Sequence, residues 1–165
     1  MLAMLAAQFK RRALTENNEL LPIDLVDRIH LKRAAGLYLE AFRYNIEAFY
    51  PAINAAYLLI LLGGKHAQQG RHLARYISTV WEKEKGSNHW LDFTLAEAEL
   101  LLGFYDSAAE QLENACKTHT GTIGIFDIES TRLQIVQYLT LMGNESEGEE
   151  LISILNSQLQ LKNNL

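Results

Sequence analysis

The chain has a single cysteine, Cys116, so no internal disulfide can staple it and a reduced, cytoplasmic compartment is the expected setting. It has only two prolines, Pro22 and Pro51, which leaves long helices permitted almost everywhere. It has no excess of positive charge. The formal net charge is −5, so no affinity for a nucleic-acid duplex is expected from charge alone. No apolar run reaches the ~18–20 residues that a bilayer span needs. The opening MLAMLAAQFKRRAL places its basic residues after the apolar stretch, the reverse of a secretory signal, and reads as a helix. At 165 residues the chain is long enough for one domain with a real core, or for a short array of repeats.

What is present is a repeat. LLILLGG at 58–64, AELLLGF at 98–104 and YLTLMGN at 138–144 place an apolar run before Gly63, Gly103 and Gly143, at an interval of 40 residues twice. Glycine stops a helix well because it takes a left-handed backbone without a Cβ penalty. Five residues after each glycine stand Gln68, Ala108 and Gly148; nine after stand His72, Leu112 and Ile152. The unit is therefore a helix, a glycine stop, and a second helix that folds back. Its small residue lets the two backbones approach, with the first copy departing at Gln68, His72 and Arg75.

The periodicity predicts helices over 1–14, 23–45, 52–62, 66–84, 89–102, 105–118, 125–142 and 145–160. NNELLP, KGSN at 85–88 and THTGTIG at 118–124 are loops, and LKNNL at the end is frayed. Pro51 disfavours helix at Tyr50 and suits the first turn that follows. Asn88 is the N-cap of the fifth helix. The expected fold is all-α, a solenoid of about four antiparallel helix pairs with no strand. Residues 1–165 form one repeat domain, whole or cut from a larger effector or signalling protein.

LLLGFYDSAAEQLENA, 100–115, resembles the central part of a tetratricopeptide repeat, although such repeats usually run 34 residues. A closer likeness lies in YPAINAAYLLILLGG at 50–64, HWLDFTLAEAELLLG at 89–103 and STRLQ at 130–134. In order and spacing these resemble a sensor-type tetratricopeptide branch. It occurs in bacterial conflict and immunity proteins and in the TRAF-binding regulatory region of the apoptosis signal-regulating kinases. Phe9-Lys10 fits that branch's early Arg-x-aromatic-Lys element, with Ala7 where the arginine would stand. The resemblance implies a sensing module that recognises a nucleotide-like signal and controls an effector, or one that acts in protein assembly. It implies neither a catalyst nor a cofactor.

In such solenoids the first helix of each pair lines the concave groove, and side chains at i, i+4 and i+7 share a face. That register selects Tyr50, Asn54 and Tyr57, then Trp90, Thr94 and Glu97, then Ser130, Gln134 and Gln137. Rings to stack on, with amides, hydroxyls and a carboxylate beside them, suit a base or ribose. They equally suit an extended peptide or a second copy of the chain. The competing view makes Tyr57 and Trp90 core aromatics and leaves the polar residues solvated. Lys10, with Arg11 and Arg12, is placed to hold a phosphate or carboxylate, or is a solvated helix end. Arg132 either reaches an anion or sits in a surface salt bridge. The five histidines show no ligand pair at metal spacing, His66 and His72 being six apart. Cys116 reads as buried and inert; His119 at i+3 is the one base within local reach of it. GTIG at 121–124 lacks the lysine and Ser/Thr of a phosphate-binding loop.

Overall fold

The computed structural model describes residues 1–164. Among the described residues the chain is all-α, with eight helices. They are α1 (Leu2–Leu14), α2 (Arg28–Tyr44), α3 (Phe49–Leu62), α4 (Gly64–Val80), α5 (His89–Leu102), α6 (Tyr105–Thr118), α7 (Ile125–Met142) and α8 (Glu149–Asn163). A single 3₁₀ turn occupies Glu82–Glu84. The chain forms two compact units, Met1–Ile77 and Ser78–Leu165, with the boundary in the last turn of α4.

In the first unit α1 packs on α2 and α2 on α3. The loop expected at NNELLP instead closes a hairpin, with β1 (Thr15–Glu16) antiparallel to β2 (Glu19–Leu20). Asn17 and Asn18 both take positive φ, 52° and 67°, the geometry of the two-residue turn whose twist matches paired strands. Asparagine tolerates it better than most residues. The second helix starts at Arg28, not Ile23, because residues 21–27 run back along the end of α1. Leu21 donates to the Leu14 carbonyl at 2.8 Å and Asp27 to the Ala13 carbonyl at 3.1 Å. Asp27 then caps α2, accepting from the Ile29 and His30 backbone N–H groups at 2.9 and 3.0 Å. The His30 backbone N–H, followed by its ring, holds the Asp27 carboxyl below the usual carboxylate range. Tyr50 is helical after all: Pro51 falls within the first turn of α3, where its missing N–H removes no intrahelical bond.

In the second unit α5 packs on α6 and α7 on α8, while α5 also meets α7 and α6 meets α8. These are two helical hairpins side by side, like helix against like. The expected bounds of α5, α6 and α7 are the observed ones, and Asn88 caps α5 by accepting from Leu91 N–H at 2.9 Å. The eighth helix begins at Glu149 and not at 145, because Asn144–Gly148 close a turn first. It continues through Asn163, so 161–163 are helical and not frayed; Leu165, the last residue of that expectation, lies outside the described residues.

All three repeated glycines end helices at positive φ: 73°, 85° and 70°. At Gly103 and Gly143 the backbone is left-handed and the next N–H reaches back to close the helix. Phe104 donates to Glu99 O at 3.0 Å and Asn144 to Leu139 O at 2.9 Å. Gly63 differs. Its ψ of −176° sends the chain straight into α4, and its carbonyl accepts from His66 and Ala67 as that helix begins. This moves the close-contact position. Gln68 and His72 are exposed, and Gly70 takes the place that Ala108 and Gly148 take in the later copies.

A Cβ on Gly70 would stand 2.7 Å from the Ala56 carbonyl oxygen and 3.0 Å from Ile60 N, backbone atoms that cannot turn aside. Gly36, within α2, has nothing within 4 Å. Gly70→Ala should therefore destabilise the protein by about 1–3 kcal/mol. Gly36→Ala should stabilise it by about 0.5–1 kcal/mol through helix propensity. Chemical denaturation of the two variants checks both signs.

Candidate functional site

Residues Pro51–Leu62 of α3 are all buried. Such a helix is apolar all round, and any polar side chain on it must find its partners inside the protein. Asn54, 1% exposed, does so twice. Its Nδ2 donates to the Tyr50 carbonyl at 3.0 Å, one turn back. Its Oδ1 accepts from Lys10 Nζ of α1 at 2.8 Å. The same ammonium lies 4.8 Å from the centroid of the Tyr57 ring, a cation–π contact. Of the basic run, only Lys10 turns this way. Arg11 bonds Asn18 Oδ1 at 2.6 Å in an exposed contact, and Arg12 is exposed. Tyr50 is half-exposed while Tyr57 is fully buried. Four of the sequence-selected residues, Lys10, Tyr50, Asn54 and Tyr57, thus form one cluster in the first unit.

Beside it, Phe9 is sandwiched. Its ring stacks on His30 at 5.6 Å, and the Arg33 guanidinium lies 4.6 Å from its centroid. His30 Nδ1 in turn meets Asp27 Oδ2 at 2.6 Å.

In the second unit Leu91–Ala98 of α5 are buried in the same way, and Asp92, Thr94 and Glu97 lie among them. Glu97 accepts from Gln134 Nε2 of α7 at 2.9 Å. Thr94 gives its hydroxyl to the Trp90 carbonyl at 2.8 Å. Trp90 is 39% exposed and tilts against His89, ring centroids 5.2 Å apart. Its indole is thus a partly open face and not a core ring. Ser130 and Gln137 are partly exposed on α7. Arg132 pairs with neither an anion nor a carboxylate among its hydrogen bonds; its Nε donates to Asn156 Oδ1 of α8 at 2.6 Å.

Helical spacing gave no sign of a second polar group in this unit. Asp92 Oδ2 meets His119 Nε2 at 2.8 Å, and its Oδ1 accepts from Gly86 N–H at 2.8 Å. His89 Nε2 lies 3.0 Å from Asp127 Oδ2 without hydrogen-bond alignment. Asp127 also accepts from Gly124 N–H at 2.8 Å at the start of α7. The two imidazoles meet edge to face at 6.2 Å. These contacts fasten the 118–124 loop and the start of α7 to α5. The local signal was a His and an Asp three apart at the head of α5; their partners lie 38 and 27 residues further on, respectively.

Among the described residues no group of three or more His, Cys, Asp or Glu is arranged to hold a metal ion. His119 faces Asp92 and does not serve Cys116. Burial, with the Glu113 charge adding to it, pushes the Cys116 thiol up to about 11. Two open depressions mark the surface of this unit, one along α8 from Glu145 to Gln160 and one at Gly103–Ser107. Neither contains a sequence-selected residue.

No family model matches the chain, and no curated protein or solved structure matches it.

A thiol raised to about 11 forms thiolate only as the pH climbs toward that value, so at pH 8 roughly one Cys116 in a thousand is ionised. Native protein should resist iodoacetamide at pH 8 and react promptly once unfolded, as intact-mass measurement over time would show. Asp92→Ala strips partners from both His119 and Gly86 N–H, and should cost about 1–3 kcal/mol in a thermal melt.

Proposed function

We propose that the chain is a non-catalytic sensor module of tetratricopeptide-like design. It binds a nucleotide-like small molecule and controls an associated effector. The observation that carries this is Lys10 held by Asn54 and the Tyr57 ring against a helix with no solvent face. An ammonium placed in advance attracts an anion without the entropy of ordering a free lysine. The half-exposed Tyr50 ring, one turn before Asn54 on the same helix, offers a base a plane to stack on. In the second unit, α5 and α7 offer a partly open ring at Trp90 and a hydrogen-bonded carboxylate and amide at Glu97 and Gln134, groups that suit the polar edges of a base.

The tetratricopeptide reading rests on the helix–glycine–helix unit and on the like-against-like packing of the second unit's hairpins. The sensor-type likeness rests on the Tyr50–Gly64, His89–Gly103 and Ser130–Gln134 segments. The non-catalytic reading draws on Cys116, whose thiol is buried and raised while its neighbouring histidine is engaged elsewhere.

A second reading, a scaffold that binds a peptide or another copy of the chain, is favoured by apolar side chains on α7. Ile125, Phe126 and Leu133 are 40%, 71% and 57% exposed.

Calorimetry against nucleotides, dinucleotides and nucleosides separates the two. The sensor reading expects a phosphorylated compound to bind, and Lys10→Ala to weaken it more than the matching nucleoside. Absence of binding across the panel, or equal affinities in Lys10→Ala and native protein, rejects a nucleotide site at Lys10. Concentration-dependent self-association with no ligand uptake would favour the scaffold.

A further inference from the structure

The two compact units differ in charge. Met1–Ile77 holds ten Lys and Arg against six Asp and Glu, while Ser78–Leu165 holds five against fourteen. The net charge of −5 thus conceals a basic unit and an acidic one. The contrast is sharpest on α4 and α6, the helices that come after Gly63 and Gly103. α4 carries Lys65, Arg71 and Arg75 and no acidic residue. All three are exposed, and among the described residues no ion pair engages them. Arg71 and Arg75 stand one turn apart, so they share one side of the helix.

On α6 the exposed side carries Asp106, Glu110 and Glu113. Asp106 and Glu110 are again one turn apart. Glu113 is taken by Lys117 at 3.0 Å. At the head of this stripe lies the open depression at Gly103–Ser107, whose lining includes Glu99, Phe104 and Asp106. The Ser78 and Ser107 hydroxyls donate to the Glu99 carboxylate at 2.5 and 3.2 Å and fix its position. The Phe104 ring is 54% exposed. Carboxylates beside an open ring suit a guanidinium. The ring face takes the flat cation, and the carboxylates take its N–H groups.

We propose that α4 of one copy of the chain docks on α6 of a second copy. Arg71 and Arg75 meet Asp106 and Glu110, with one guanidinium seated in the depression against Phe104. The spacing matches, one turn between the cations and one turn between the anions. Exposed ion pairs are individually weak, so the two pairs and the ring act together. The contact is heterologous: one copy gives its α4 and the other its α6. It is independent of the nucleotide reading of Lys10, and it places the copy-to-copy contact of the scaffold reading on helices other than α7.

Sedimentation velocity up to about millimolar protein, in about 0.05 M and about 0.5 M salt, tests it. Native protein should self-associate, and more weakly at the higher salt. Arg71→Gln/Arg75→Gln and Asp106→Asn/Glu110→Gln should each raise the dissociation constant roughly tenfold. Both should melt at the native temperature, since all four side chains are exposed. An equimolar mixture of the two should regain native affinity and stop at a one-to-one complex, because each supplies the face that the other lacks. Phe104→Ala should weaken association about fivefold. Glu149→Gln/Glu150→Gln, at the head of α8, changes net charge as the α6 variant does and should associate like native protein. Native protein that stays monomeric overturns the proposal. Equal weakening in the Glu149 and Glu150 variant assigns the effect to net charge and overturns it too. A mixture no stronger than either variant overturns the pairing of α4 with α6. If Asp106→Asn/Glu110→Gln melts lower and Phe104→Ala associates like native protein, the carboxylates serve the fold and the depression receives nothing. None of these outcomes touches Lys10, so the nucleotide site stands or falls by its own titration.

Discussion

A helix with no solvent face has nowhere to put a polar side chain except against another polar group. Two helices here are in that position over much of their length, α3 from Pro51 to Leu62 and α5 from Leu91 to Ala98. Asn54, Asp92, Thr94 and Glu97 would each forfeit hydration on burial, and each is matched from inside. Two of the matches reach across the chain by 44 and 37 residues, so they also tie elements together: Lys10 holds α1 to α3, and Gln134 holds α7 to α5. The same desolvation that makes these contacts necessary makes them directional. A charge or amide in such surroundings interacts more strongly than it would in water.

The repeat was legible because its signal is local. A left-handed glycine at the end of an apolar run needs only the residues beside it, and Gly103 and Gly143 close their helices with the same pair of backbone bonds. The bounds of α5, α6 and α7 follow from those stops and from Asn88. The first copy breaks the pattern through one backbone angle. With ψ extended at Gly63, α4 starts at once and Gly70 replaces position 68 as the tight contact. The doublet Gly63-Gly64 was visible in the sequence; the register change that it permits was not. The start of α2 and the Asn17-Asn18 hairpin depended on where the chain runs along α1, which periodicity does not encode.

The candidate site was half legible for the same reason. Helical spacing selected Tyr50, Asn54 and Tyr57 as one face; Asn54 and Tyr57 both contact Lys10, and Tyr50 is linked to it through Asn54. That Lys10 turns inward while Arg11 and Arg12 turn out is a matter of α1 packing against α2, which composition cannot supply. The Asp92–His119 and His89–Asp127 approaches join the head of α5 to a loop and to the head of α7. Nothing local announces a pairing between residues so far apart in the chain. Arg132 bonding Asn156 is a neighbouring-helix event of the same kind.

The twelve consecutive buried residues of α3 also bear on the order in which the chain is made. Synthesis delivers α1 and α2 first, so the lysine and the α2 surface that receive α3 are already outside the ribosome when it emerges. The helix carrying Gly70 comes later, and until then the α3 face it covers is bare. A nascent chain paused once α3 has emerged, with α4 still inside the ribosome, would display a run of leucine and isoleucine that is too apolar to rest in water. Such a segment is a natural handle for chaperones and a seed for aggregation. A start on the next helix without delay, as the extended ψ of Gly63 provides, shortens that interval to the time needed to make one helix.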